Sequence, residues 1–158
     1  ATLFGANLKR ADLSDADLSD ANLIRINLAG ANLAHANLSG AYISGAILRG
    51  AYLGGANLSG AILQDGIVGG TDLTGANLTR ANLSDARLTN AILDGADFTG
   101  ADLTGAILTQ VNFTTANLVR TISLTGTQLI NSHLCRTKTP FGEINDNCQA
   151  EKRIKPKP

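Results

Sequence analysis

The side chains best placed for chemistry lie near the end of the chain. Cys135 and Cys148 are thirteen positions apart and bracket the run Thr139-Pro140-Phe141-Gly142. Pro at the second and Gly at the fourth place of that run are what a type I turn prefers. The spacing admits three arrangements: a disulfide closing the loop, two unbridged thiols, or a metal site that adds His133. The metal arrangement musters three ligands where a structural zinc takes four. A disulfide is the expectation, contributing about 3 kcal/mol by loop-closure entropy. It would tie down one end of the domain and points to an oxidising compartment, the periplasm or a thylakoid lumen.

The other candidates are weaker. His35 has no carboxylate or nucleophile near it in sequence and reads as a solvated turn residue. Asp12, Asp15, Asp17 and Asp20 are dense but lack the ligand spacing of a calcium loop, so a solvated face is expected. Gly54-Gly55 and Gly69-Gly70 fall in a regular frame as corners, not as phosphate cradles. No titratable pair suited to general acid and base work is visible, so neither catalysis nor a cofactor is expected.

Those residues sit in a strict repeat. From Leu3 to Leu118, every fifth residue is Leu in twenty of twenty-four positions, with Ile43, Val68, Phe98 and Phe113 in the rest. Two residues earlier stands Ala in twenty cases, the exceptions being Ile26, Gly66, Thr71 and Val111. A helix turning about 100° per residue would scatter this set around its axis. In an extended segment each Ala shares a face with its Leu, and the residue between them points out. Five is odd, so a continuous strand would send alternate Leu residues to opposite sides. Each repeat must therefore turn a corner, and the second residue after each Leu is Gly in twelve repeats and Asp or Asn in five more. Strand and corner in alternation wind an all-β parallel helix whose coils stack at about 4.8 Å. The outward Asn or Asp would bond its neighbour or the corner backbone.

Composition agrees with a repeat. Charged residues are 16% and aromatics 4%, with neither Trp nor Met. Residues 1–120 hold ten acidic and seven basic side chains, and residues 121–158 three and six. Neither portion has the charge density of a nucleic-acid binder, and no apolar run reaches the roughly 18 residues needed to span a bilayer. Lack of an initiator Met reads as a processed or trimmed chain, a removed signal peptide being one explanation. Ala1 already occupies the small-residue slot. The first coil would then present an open edge, closed by preceding residues or by end-to-end pairing of two rods.

The runs ADLSDADLSDANL and GANLTRANLSDARL resemble the pentapeptide-repeat family, whose motif is A(D/N)LXX. The resemblance implies a right-handed quadrilateral β-helix with four repeats per coil, so that residues twenty apart stack. Twenty-four repeats then give six coils and a rod of roughly 29 Å. After Leu118 the frame slips by one, to Leu124, Leu129 and Leu134, which predicts a bulge near 119–123 and most of another coil. The ending CRTKTPFGEINDNC is similar to the tail of cyanobacterial members. The organisation expected is a β-helix over 1–134, a disulfide-closed capping loop over 135–148 and a flexible basic tail over 149–158.

For function, the reading is a non-catalytic solenoid that serves an unknown protein partner as a binding or scaffold module, with no nucleic acid and no membrane insertion. The family also contains DNA mimics that act on DNA gyrase. That alternative requires a long electronegative face, whereas this solenoid is only about three charges negative. A third class, binding to ice or mineral, would use the regular column Asp17, Asn37, Asn57, Asn77, Asp97 and Asn117. The candidate interaction patch is Tyr42, Ile47, Tyr52, Ile62 and Ile67, which replace the outward polar residue in five of six consecutive repeats.

Overall fold

The computed structural model describes residues 2–129 and 131–146. Cys148 and the basic tail 149–158 lie outside the described residues. The outward residues pair through parallel rungs at a spacing of twenty, from Thr2 with Asn22 to Asp102 with Ile122. Four repeats therefore complete one coil. The chain winds a four-sided parallel β-helix, and its sides are numbered here by the outward residue of the first coil: face 1 from Thr2, face 2 from Asn7, face 3 from Asp12 and face 4 from Asp17.

Each coil is held to the next by the same pattern. The Leu-position N–H donates one coil onward, as from Leu33 to Tyr52 O at 2.7 Å, and the small-slot N–H closes the corner locally, as from Ala36 to Leu33 O at 3.0 Å. All twenty-four second corner residues take a positive φ, from Gly5 to Arg120. Half of them are not glycine, and Asp and Asn bear this conformation at lower cost than most. His35 is one of these, at φ 60, exposed as expected. Its ring lies over Gly55, where a Cβ would come within 2.6 Å of Nδ1.

The Ala and Leu columns fill the interior, and Phe98 meets Phe113 edge to face at a centroid distance of 6.2 Å. Leu positions are buried from Leu18 onward, but Leu3, Leu8 and Leu13 are only half-buried, because the first coil is covered on one side only. Three small-slot hydroxyls cap an inner carbonyl one coil back: Thr71 Oγ1 donates to Leu48 O at 2.7 Å, Ser132 Oγ to Leu108 O at 2.9 Å and Thr137 Oγ1 to Phe113 O at 2.7 Å, whereas Thr121 Oγ1 donates to Leu118 O of its own coil at 2.9 Å. No buried side-chain polar atom among the described residues lacks a partner.

The frame slip occurs at Ser123. Ile122 still pairs with Asp102 at a spacing of twenty, Ser123 takes φ 57, and the later rungs, Asn112 with His133 and Asn117 with Lys138, have a spacing of twenty-one. Leu124, Leu129 and Leu134 are buried as the slipped frame requires. Face 2 of this last coil is not a strand but a short 3-10 helix, Gly126–Leu129. Its Gln128 Nε2 donates to Leu103 O at 3.2 Å and to Ala106 O at 3.1 Å, a side chain replacing a missing backbone rung.

The chain then forms a hairpin of β1 (Leu134–Thr139) and β2 (Gly142–Asp146), antiparallel, with Thr139 opposite Gly142. Pro140 and Phe141 form the turn, and Thr139 Oγ1 accepts from Phe141 N–H at 3.1 Å while donating to Gly142 O at 2.7 Å. The segment read from sequence as a loop thus contains a strand pair.

Candidate interaction surface

Outward side chains divide the four faces into two kinds. On face 4 the amides form ladders: Asn37 Nδ2 donates to Asp17 Oδ1 at 3.1 Å, Asn57 to Asn37 at 3.3 Å, Asn77 to Asn57 at 3.2 Å and Asn117 to Asp97 at 3.2 Å. Each Oδ1 also accepts the corner N–H two residues on, at every repeat from Asp17 to Asn117. Face 4 therefore leaves no such donor unoccupied. Asp12 on face 3 and Asp17 on face 4 use their carboxylates in this way. The Ser14 hydroxyl and N–H, with Asn32, hold the Asp12 carboxyl below the ordinary carboxylate range, and Ser19 with Asn37 does the same for Asp17. The four clustered aspartates do not converge: Asp12 and Asp17 point from adjacent faces, and Asp15 and Asp20 occupy corners.

Face 2 differs. Its outward column reads Asn7, Asn27, Ile47, Ile67, Arg87 and Ile107. Asn27 still caps Ala29 N–H at 3.1 Å, but Ile and Arg have no oxygen to offer. Among the described residues, the corner N–H groups of Arg49, Gly69, Thr89 and Thr109 have no acceptor. No other corner has four such repeats in succession. At its middle the corner is bare glycine, and a groove of about 370 Å³ opens there, floored by Gly69 and Gly70 beside Ile67 and flanked by Arg49 and Arg87.

Charge follows the same division. Face 2 with its following corner carries Lys9, Arg10, Arg49 and Arg87 and no carboxylate. Face 3 with its following corner, up to residue 115, carries Asp12, Asp15, Asp72 and Asp94 and no Lys or Arg. The near-neutral total conceals this separation.

The sequence-derived patch is outward and stacked in two columns. Tyr42 pairs with Ile62 on face 1 and Ile47 with Ile67 on the adjacent face 2, with Tyr42 49% and Ile47 36% exposed. Tyr52, 58% exposed, stands apart on face 3 between Asn32 and Asp72. Five exposed large apolar residues were not in that patch: Phe4 and Phe141 near the two ends, and Ile92, Ile107 and Ile122 between them. Sorting outward positions by twenties would have found Ile107 as the continuation of the Ile47 column. At the far end, His133 is exposed and stacked beside Asn112, whereas Cys135 is buried in β1. Its expected partner Cys148 lies outside the described residues.

Comparison with known proteins agrees with this architecture. The pentapeptide repeats family matches in eight copies, over 1–33, 26–65, 48–80, 63–95, 81–120 and 96–134. The chain belongs to the pentapeptide repeat family. Its fold is accordingly the right-handed quadrilateral parallel β-helix of that family. Among solved structures it is similar to HetL, a pentapeptide repeat protein involved in heterocyst differentiation regulation from the cyanobacterium Nostoc sp. strain PCC 7120, at 35% identity and a TM-score of 0.70. The match covers 91% of this chain and 66% of HetL. Rfr23 from Cyanothece 51142 is 36% identical with a TM-score of 0.36, over 68% of this chain and 63% of that one. The chain thus spans just under two thirds of the length of each. QnrB1, a plasmid-mediated fluoroquinolone resistance protein, matches at 22% identity and a TM-score of 0.46 over 95% of this chain and 84% of its own. No curated protein matches the chain significantly. Among the described residues no helix is long and apolar enough to cross a membrane.

Proposed function

We propose that this protein is a non-catalytic scaffold whose rigid rod presents a binding surface to another protein. The observation that carries the reading is the outward apolar patch centred on Ile47 and Ile67 with Tyr42 and Ile62 beside it, on a rod whose opposite face is closed by hydrogen-bonded amides. Exposed apolar area of this kind on a stable scaffold favours a protein partner over solvent. The core is continuous without these side chains, since the Ala and Leu columns fill it.

The double substitution Ile47→Asn with Ile67→Asn tests this. Asn is the residue the repeat favours at both positions, so the melting temperature should stay within a few degrees while capture of the native partner from its source is abolished. Unfolding of the variant would show the patch to be structural, and undiminished capture would remove the patch from consideration.

We also propose a disulfide between Cys135 and Cys148, closing the hairpin end, and with it residence in an oxidising compartment such as the periplasm or thylakoid lumen. The support is Cys135, buried within the first strand of the hairpin, and Cys148, two residues past the end of the second in sequence. Intact mass under non-reducing conditions checks it, and two alkylatable thiols in protein isolated from its native compartment would refute it.

A further inference from the structure

We infer that the corner between faces 2 and 3 is a carboxylate-binding track for an acidic, partly apolar segment of a partner protein. The inference rests on the protein-binding reading above and adds the chemistry of what is bound.

Three independent features coincide at this corner. First, the N–H groups of Arg49, Gly69, Thr89 and Thr109 are uncapped, one per coil, and so recur at about 4.8 Å along the rod. At other corners of the same backbone pattern, the outward Asn or Asp supplies an oxygen to this N–H, as Asp72 does for Thr74 at 3.0 Å. A carboxylate brought by another chain would occupy the place that the side chain leaves empty. Second, Arg49 and Arg87 flank the opening, and their guanidinium groups make no ion pair or hydrogen bond among the described residues. A guanidinium offers a forked pair of donors matched to a carboxylate. Third, Gly69 and Gly70 carry no side chain at the corner, so the groove admits an incoming chain to the backbone itself, and Ile67 lines it as an apolar wall, with Ile47 stacked on Ile67 one coil away.

Charge complementarity selects the occupant. The track is cationic without a single carboxylate on its face, while the next face is anionic, so an acidic segment is drawn to one side of the rod and repelled from the other. Lys9, Arg10, Arg49 and Arg87 are too few for the polyanion of a nucleic acid, and Ile47, Ile67 and Ile107 interrupt the donors where a nucleic acid would present phosphate.

The experiment uses the full chain and a fluorescein-labelled peptide of sequence Glu-Asp-Leu-Glu-Asp-Leu-Glu-Asp, read by fluorescence polarisation. Two controls accompany it, the same peptide with Lys at every acidic position and a single-stranded DNA of equal charge. The acidic peptide is expected to bind, with affinity falling as salt rises. Arg49→Glu with Arg87→Glu should weaken it by roughly tenfold or more, whereas Arg80→Glu with Arg120→Glu, at the corner after face 4, should change it less than about twofold. Gly70→Asp provides a variant that keeps the fold, because Asp15, Asp65 and Asp85 take the same φ at equivalent corners and a Cβ at Gly70 meets nothing within 4 Å. It should also abolish binding, by filling the groove with a carboxylate of the chain's own. Equal weakening by both arginine pairs, tighter binding of the DNA, binding of the lysine peptide, or no binding at all would each overturn the carboxylate track. In any of those cases, loss of native-partner capture in the Ile47→Asn, Ile67→Asn variant would still uphold the protein-binding reading, so the two fail separately.

Discussion

Faces 2 and 4 use the same backbone and differ in what the outward residue does with one N–H group. On face 4, Asn or Asp spends its oxygen on the corner N–H, and Asn its amide on the coil before it, so polar groups are satisfied within the chain. On face 2, Ile47, Ile67, Arg87 and Ile107 leave four successive corner donors open. The repeat thus separates two demands that usually compete in a small protein. One side of the rod secures the stack of coils, and the other gives up its intrachain bonds and keeps them available. A regular ladder is a sign of structure, and the place to look for recognition is where the ladder stops.

If that division holds, substitutions beneath and upon face 4 should cost stability, and those on face 2 should cost binding. The largest effect belongs to the interior. Phe98 is fully buried under face 4 and packed on Phe113, so Phe98→Ala should destabilise by about 3–5 kcal/mol in urea denaturation. Next comes the ladder. Asn57 accepts from Ser59 N–H and from Asn77 while donating to Asn37, and Asn57→Ala should cost about 1–2 kcal/mol, with Asn37 and Asn77 losing partners. Ile67→Asn on face 2 is the sharpening experiment. The new Oδ1 would cap Gly69 N–H as Asn27 caps Ala29, so stability should stay within about 0.5 kcal/mol or rise. A loss comparable to that of Asn57→Ala would mean that face 2 is as structural as face 4, and the comparison would collapse.

How much of this was legible in the sequence depends on the range of the interaction concerned. The odd period of five and the inward Ala and Leu pair specify the coil, and the small polar corner residues specify the turns, because these are constraints acting within one repeat. The slip to Leu124, Leu129 and Leu134 was readable for the same reason. The plug made by Gln128 was not, since it replaces a backbone rung of a different coil, twenty-two and twenty-five residues back. The second hairpin strand, Gly-Glu-Ile-Asn-Asp, is too short and polar to announce itself without its partner. The groove was hidden for a third reason. Gly69-Gly70 is an ordinary corner in the repeat frame, and it becomes an opening only when Arg49 and Arg87 are placed one coil to either side. The tyrosines and isoleucines of the patch were visible as departures, yet the uncapped donors beside them follow from what those residues lack.

The smallest expected effect is on pH dependence, and it distinguishes the two kinds of polar outward residue on face 4. Asp17 and Asn37 perform the same service for the corner N–H, but only Asp17 titrates. Hydrogen bonds from Ser19, first its hydroxyl and then its N–H, lower the Asp17 pKa in the folded chain relative to the unfolded one. Because the folded value is the depressed one, the stabilisation is complete above the unfolded value of about 3.9. It is lost as pH falls through the folded value, where the protonated oxygen becomes a poorer acceptor. The same sign holds for Asp12 with Ser14. The double variant Asp12→Asn with Asp17→Asn retains an acceptor at both positions without a titrating group. Melting temperatures measured from pH 7 down to pH 2 should therefore fall less steeply below pH 4 for the variant than for the parent, with the two curves nearly parallel above pH 5. Identical acid limbs would mean that these exposed carboxylates contribute no more to the stack than the amides of the coils above them.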